Sequence, residues 1–351
     1  MADINCNKEM TNFHRDEVTL SNKQQDKMRT RRNAGRTRLE NGLTEAEKPQ
    51  PKLVCSQGSY QMRTMVQDRD NDYDIDDGAY FAKVDLKDDD DNILTPQGAR
   101  ERVCNALKWD GRLKQEAIVK NNCVRQEYPE GYHIDIPVYR IVTTKDDNNE
   151  PVERYDLASG DEWVESDARS VTRWFNDLVP ELNAGQSDGS QMRRVTKLTK
   201  KFSRRPKWKR NTTSGIIITK LVVDNFSPSE DRDDKSLRKT WEAIDRQLQT
   251  STEIDHPVLS TKLAFDDDKE VDFFHDCIKE ALKTLEVLDN TDCSLTNARE
   301  AWDSVFDTTF FTNQPGGDGN NDDKGNKGGP AIIGTGSGEA ARRNDGGGRF
   351  G

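Results

Sequence analysis

Residues 73–81 read Tyr-Asp-Ile-Asp-Asp-Gly-Ala-Tyr-Phe, and no other stretch narrows the possible folds as far. The aromatic and β-branched residues predict a strand, kinked at Gly78. Strand side chains alternate between faces. Asp74 and Asp76 therefore project from one face, roughly 7 Å apart along the chain, while Ile75 enters the core behind them. Residues 132–138, Tyr-His-Ile-Asp-Ile-Pro-Val, set Asp135 between apolar neighbours in a second strand. A charge in such a strand needs a partner, of which a metal is one. If the two strands are neighbours, three carboxylates converge, and like charges raise one another's pKa unless cations sit among them. Mg²⁺ takes oxygen ligands and keeps phosphate oxygens in its shell, and a pair of such ions can activate a hydroxyl and stabilise a leaving pyrophosphate.

Three other readings of the same residues stay open at this level. Asp70, Asp72, Asp74, Asp76 and Asp77 fit a solvated acidic loop. Asp72-x-Asp74-x-Asp76 begins as an EF-hand calcium loop does, but Asp77 stands where its glycine belongs and Lys83 where its closing glutamate belongs. Asp135 fits a simple ion pair with a nearby arginine. The acidic run Asp88 to Asp91 reads as a solvated connection.

Composition removes several function classes. The net charge of −11 argues against a generic nucleic-acid binder. Yet residues 192–210 hold ten Lys and Arg with no acid, and residues 27–38 hold six with no acid. Local basic surfaces in an acidic protein suit a small polyanion such as a triphosphate better than a long duplex, so no obligatory long nucleic acid is expected. No apolar run reaches the roughly 18 residues of a membrane span, and residues 1–10 lack a secretory apolar core. Cys6, Cys55, Cys104, Cys123, Cys277 and Cys293 form no C-x-x-C pair. They read as reduced structural thiols, and the chain as soluble and cytoplasmic.

Along the chain, residues 1–18 read as flexible. A helix is expected over 20–43, with Met28, Leu39 and Leu43 apolar, Gly42 near its end, and Pro49 and Pro51 beyond it. A short strand over 52–55 runs into the turn Gln57-Gly58-Ser59. Thr95 and Pro96 are the cap and first residue of a helix whose apolar face is Ala99, Val103, Ala106 and Leu107. Residues 123–128 and 132–142 predict a hairpin. Ser166 or Asp167 caps a helix carrying Val171, Trp174, Phe175 and Leu178. From about residue 188 the pattern is helical; Met192, Val195, Leu198 and Phe202 line the buried face of the basic helix. Residues 216–223 fit a buried helix or a strand, and residues 273–288 and 295–306 amphipathic helices. Thirteen of the 24 glycines lie in residues 315–351, a composition that cannot bury enough apolar surface to offset its chain entropy.

With these pieces in place, a resemblance becomes specific. Gly58-Ser59, then Asp74-Ile-Asp76, then a distant Asp135 between apolar residues resembles the signature of the nucleotidyltransferase superfamily. The strings GSYQMRTMV, DYDIDDGAYF, YHIDIPVYR and RRVTKLTKKFSRRPKW followed by SGIIITKLV are similar to the bacterial cGAS/DncV-like nucleotidyltransferases (CD-NTases), and most of all to their cyclic GMP-AMP synthases. The likeness spans about residues 20–310. It implies an α+β, two-lobed nucleotidyltransferase fold: a mixed β-sheet palm with a long spine helix, plus a helical C-terminal lobe. The implied layout is a flexible 1–18, a catalytic core over 19–185, a helical lobe with the basic helix over 186–312, and a disordered Gly-rich tail over 313–351.

The resemblance also implies roles. Asp74, Asp76 and Asp135 would hold two Mg²⁺ ions, with Mn²⁺ as a substitute, and Asp135 would help deprotonate the attacking ribose hydroxyl. Gln57, Gly58 and Ser59 would form the turn on the donor's β- and γ-phosphates. Lys200 and Ser214 would be further triphosphate contacts, although this chain reads Leu198-Thr199-Lys200 where the family more often has Leu-Leu-Lys. The implied activity is synthesis of a cyclic oligonucleotide second messenger from ATP and GTP in anti-phage defence (CBASS), the product acting on an effector protein. The last residues, RRNDGGGRFG, resemble tails joined through a C-terminal glycine, here Gly351, by a partner enzyme of E1/E2 type. Linear or RNA-tailing polymerisation and a catalytically silent scaffold are the rival functions.

Overall fold

The computed structural model describes residues 4–68, 73–109, 111, 114–146, 148–182, 190–208 and 211–315. Its first element departs from the expectation of a flexible N-terminus. Helix α1 (Asn7–Phe13) runs into one turn of π-helix (His14–Val18). Cys6, Met10, Phe13 and Val18 are buried in the core of the C-terminal lobe. Four apolar residues among many polar ones leave no clear period, but the far end of the chain supplies the surface they cover: Phe13 packs 4.7 Å from Phe306 and 4.9 Å from Phe311.

Helix α2 (Asn22–Glu45) is the spine, opened by a capping box between Ser21 and Gln24. It buries Met28, Leu39 and Leu43 as expected. Gly42 lies in the last turn of the helix, near its end as expected, where α4 (Pro96–Lys108) crosses. A Cβ on Gly42 would meet the Ala106 carbonyl oxygen at 2.0 Å. Thr95 caps α4 by accepting from the Gly98 amide at 3.0 Å, with Pro96 behind it, as the sequence predicts.

Between these helices and the next lies the palm sheet. Strand β1 (Leu53–Gln57) leads into the one-turn helix α3 (Gly58–Gln61), and β2 (Asp74–Ala82) follows. After α4 come β3 (Ile118–Val119), β4 (Val124–Glu127), β5 (His133–Ile136), β6 (Val138–Lys145), β7 (Pro151–Ser159) and β8 (Glu162–Glu165). Strand β1 pairs with β2 antiparallel, while β5 and β6 run parallel to β2 in one continuous register. Pro137 separates them; it has no N–H to give, and its carbonyl accepts from Ala79 at 2.9 Å. One face of β2 (Ile75, Ala79, Phe81) joins the core with α2 and α4. The other carries Asp74 and Asp76, then Tyr80, which stacks on Tyr139 at 4.4 Å.

Helix α5 (Ala168–Leu182) covers the Tyr80 end of that face. Its cap is Asp167, which accepts from the Ser170 amide at 2.9 Å. The C-terminal lobe holds the basic helix α6 (Gln191–Ser203), then α7 (Gly215–Asn225), which settles the helix-or-strand alternative as a helix, and α8 (Asp233–Thr250). A two-stranded ribbon, β9 (Ile254–Asp255) and β10 (Lys262–Ala264), interrupts the expected helical run before α9 (Lys269–Leu285) and α10 (Leu295–Phe306). All six cysteines are free. Among the described residues no helix is long and apolar enough to cross a membrane.

Candidate active site

The register of three strands builds the site. Asp74 stands opposite His133 and Asp76 opposite Asp135 across the parallel β2–β5 pair. Arg125 stands opposite Asp135 across the antiparallel β4–β5 pair. Opposite residues share a face, so three carboxylates, one imidazole and one guanidinium point the same way. The three aspartates expected to converge do so.

The acids do not share one environment. Asp135 is buried and accepts twice from Arg125, at 2.9 and 2.8 Å. The simple ion-pair reading of Asp135 is thus true of this residue without removing it from the cluster. His133 Nε2 lies 3.9 Å from Asp74 Oδ2 and 3.8 Å from Asp135 Oδ2. Asp76 has a buried Oδ1 with no hydrogen-bond partner. Burial pushes its pKa well above the usual carboxylate range, and the charges of Asp74 and Asp135 push it further. The Cys123 thiol, buried beside Asp135, is likewise pushed well up, by burial first and then by that charge.

An orphaned carboxylate oxygen in a crowd of acids is costly unless a cation joins it. One oxygen each from Asp74 and Asp135, and a ring nitrogen of His133, lie within 4.8 Å of one another. The donor set fits a divalent metal ion, held by Asp74 and Asp135 with Asp76 beside them.

The turn after β1 is tied into its surroundings at two of its three positions. The Gln57 side chain is buried and hydrogen-bonded at both ends. Its amide donates to the Tyr139 hydroxyl at 2.9 Å, and its carbonyl oxygen accepts from the Tyr80 hydroxyl at 2.7 Å. Those two tyrosines lie on the same sheet face immediately past the acids, so Gln57 is the back wall of the site. The Gly58 amide donates to the Thr172 hydroxyl of α5 at 3.2 Å. The requirement for glycine there is tighter than a turn alone would make it. Its φ is +61°, and a Cβ would come within 2.5 Å of Asp76 Oδ2. Ser59 follows on the first turn of α3, half-buried.

Lys200 and Ser214 come in from the other lobe. Lys200 is 6% exposed, and its Nζ donates to the Thr64 hydroxyl at 3.1 Å. Burial lowers its pKa to about 7, Arg204 lowers it too, and Asp74 and Asp76 act in the opposite direction, which places the ammonium within their field. Its Nζ sits 3.9 Å from where a Gly215 Cβ would be. Ser214, the residue before α7, keeps a buried Oγ without a partner. A desolvated cation, an unused hydroxyl and the start of a helix thus meet on the side of the cleft facing the acids, a combination that suits phosphate oxygens.

Sequence reasoning missed His133, Arg125 and Thr172. His133 was within reach, since it precedes Asp135 by two residues in the same strand and so must share its face. Arg125 required the hairpin register, and Thr172 the packing of α5. Residues 313–315, expected to begin the disordered tail, are instead tied to the lobe, Gln314 accepting from Asn12 at 2.7 Å and from Arg299 at 2.9 Å; residues 316–351, Gly351 included, lie outside the described residues, as do Asp70 and Asp72 of the acidic segment.

Residues 52–139 match the family described as cyclic GMP-AMP synthase DncV-like, nucleotidyltransferase domain. The chain carries a DncV-like nucleotidyltransferase domain. Solved structures share its fold across both lobes. Vibrio cholerae DncV cyclic AMP-GMP synthase, in complex with the linear intermediate 5′ pppA(3′,5′)pG, matches with a TM-score of 0.67 at 17% identity, over 87% of this chain and 96% of that one. CdnC of E. coli MS115-1, solved with ATP, gives 0.63 at 15%, over 87% and 98%. The CD-NTase CdnG of Bradyrhizobium diazoefficiens, in complex with GTP, gives 0.63 at 13%, over 87% and 97%. The matched domain ends at residue 139 and so contains all three aspartates and the Gly58 turn. Lys200 and Ser214 belong to the lobe joined to this nucleotidyltransferase domain.

Proposed function

We propose that this nucleotidyltransferase joins two nucleoside triphosphates, ATP and GTP, and closes the product into a cyclic dinucleotide of the cyclic GMP-AMP kind. The messenger would act in the cytoplasm on an effector protein in anti-phage defence. The observation that carries the reading is the β2–β5 register, which sets Asp76, with its unsatisfied oxygen, against Asp135 and within the electrostatic reach of a buried lysine from the other lobe. Solved relatives of the same fold were captured with ATP, with GTP and with a linear pppApG intermediate, which supports a triphosphate donor and a two-step route.

In the first step the ribose hydroxyl of one nucleotide attacks the α-phosphorus of the other. A new P–O bond forms, the α–β bridging bond breaks, and pyrophosphate leaves. Asp135, which Arg125 holds in place through two hydrogen bonds, accepts the hydroxyl proton, directly or through water. Lys200, Ser214 and Ser59 hold the departing β- and γ-phosphates in line, so most of the rate comes from positioning and charge neutralisation. Two Mg²⁺ ions on Asp74, Asp76 and Asp135 would supply the remaining neutralisation and acidify the hydroxyl. The linear product then re-enters with its own hydroxyl facing its own triphosphate.

Incubating the full chain with all four labelled triphosphates and Mg²⁺, then with phosphatase, tests this. A small phosphatase-resistant product of dinucleotide mass is expected. A ladder of linear oligomers would replace the cyclic reading with a polymerase, and no incorporation would overturn the assignment altogether.

A further inference from the structure

Four histidines occur in the chain, and two that the structure buries in the C-terminal lobe are visibly structural. His275 Nε2 lies 2.8 Å from Asp245. His256 Nδ1 accepts from the amides of Val258 and Leu259 at 3.2 and 3.0 Å. A buried imidazole ordinarily spends at least one ring nitrogen this way, as His256 does with Nδ1 although its buried Nε2 has no partner. His133 does not. Its side chain is 9% exposed, and among the described residues its ring makes no hydrogen bond. Its Nε2 lies almost equidistant from Asp74 Oδ2 and Asp135 Oδ2, beyond hydrogen-bond reach of both. The ring is also placed by backbone: it faces Asp74 across a register locked by two parallel strands, two residues from Asp135.

We propose that His133 is a nitrogen ligand of the metal centre, so that the position it shares with Asp74 and Asp135 takes a first-row transition-metal ion in preference to Mg²⁺. The inference rests on the nucleotidyltransferase reading and deepens it. Mg²⁺ takes oxygen ligands and holds its water tightly, whereas imidazole nitrogen favours transition ions. Replacing one oxygen of the site by a fixed nitrogen therefore shifts its selectivity. The Arg125 pair leaves this possible. An ionised carboxylate has about four lone-pair positions, and Arg125 uses one on each Asp135 oxygen. Asp76, with its buried unpartnered Oδ1, lies one step away on the oxygen-only side of the cluster. The site is accordingly asymmetric, with one mixed nitrogen–oxygen position and one oxygen position.

The test is pulsed EPR on the full chain loaded with Mn²⁺ and no nucleotide. Modulation from a directly bound ¹⁴N nucleus is expected in the wild type and is lost in His133→Asn. In competition titrations the Mn²⁺-over-Mg²⁺ preference falls roughly tenfold or more in that variant. Oxygen-only coordination in the wild type, an unchanged preference in the variant, or no Mn²⁺ bound at millimolar concentration each overturn the proposal. The wild-type spectrum decides even if the variant fails to fold. Incorporation of triphosphates with oxygen-only coordination would sink the histidine and spare the function; nitrogen coupling without incorporation under any metal would do the reverse.

Discussion

Asp76 and Asp77 are neighbours in one strand and face opposite ways, and the two faces of β2 treat a carboxylate in opposite fashion. On the helix side, Asp77 is buried but complete. Arg36 of the spine donates to it twice, at 2.7 and 2.5 Å, and the Ser56 hydroxyl once, at 2.8 Å. On the cleft side, Asp76 keeps a buried oxygen with no partner and sits in the field of two more acids. The same residue type is architecture on one face and an unfilled demand for positive charge on the other. Burial by itself therefore says little about what an acid is for; whether its valences are met inside the chain says much more.

Substitution should separate the two faces, and the largest effect belongs to the cleft. Asp76→Asn is expected to lower nucleotide incorporation by about 10³-fold or more while leaving the metal-free protein at least as stable as the wild type at neutral pH. Asp77→Asn should do the opposite, costing about 2 kcal/mol of stability in denaturant unfolding because it strips a buried pair, with incorporation retained in the folded fraction. Comparable losses of activity in both variants would erase the contrast.

Gly58→Ala joins the two kinds of effect. The added carbon meets Asp76 Oδ2 and must adopt a positive φ, so a tenfold to hundredfold loss of incorporation is expected alongside roughly 1 kcal/mol of destabilisation. A variant with wild-type rates would show that the Asp76 carboxylate does not need its position against the turn.

Two pH effects sharpen the comparison further. Asp76 has a raised pKa when folded. The native state therefore holds a proton that the unfolded chain has already released, and stability falls as pH rises from the ordinary carboxylate range through the raised value. Metal-free wild type should thus lose stability over that window, Asp76→Asn should lack this component, and a divalent ion should abolish it in the wild type. Thermal unfolding across pH checks all three. The smallest effect is that of Lys200, whose pKa burial lowers to about 7. A triphosphate binds the ammonium form, so ATP affinity should weaken above about pH 7, by at most tenfold per pH unit. Lys200→Met should bind more weakly with that component of the pH dependence gone, as read by calorimetric titration.

Much of this was legible in the chain before folding. Alternation alone put Asp74 and Asp76 on one face and Ile75 behind them, because a strand's side-chain period is two whatever it pairs with. Local chemistry placed the Thr95 cap, the spine helix and the buried stripe of α6, because caps and helical periods act within a few residues. The same alternation implied His133 beside Asp135.

Tertiary structure decided everything that joins distant segments. That β5 lies beside β2, parallel and with Asp135 against Asp76, depends on a crossover of some fifty residues, and no local pattern encodes its register. The ordering of residues 7–18 depends on the aromatic cluster at and just beyond the end of α10. Gln57 and the Gly58 amide have partners within the chain because Tyr80, Tyr139 and Thr172 arrive from three other elements. The sequence determined which side chains a strand or helix must show together; only packing determined which of them found partners, and a side chain's chemistry depends on the partners it lacks.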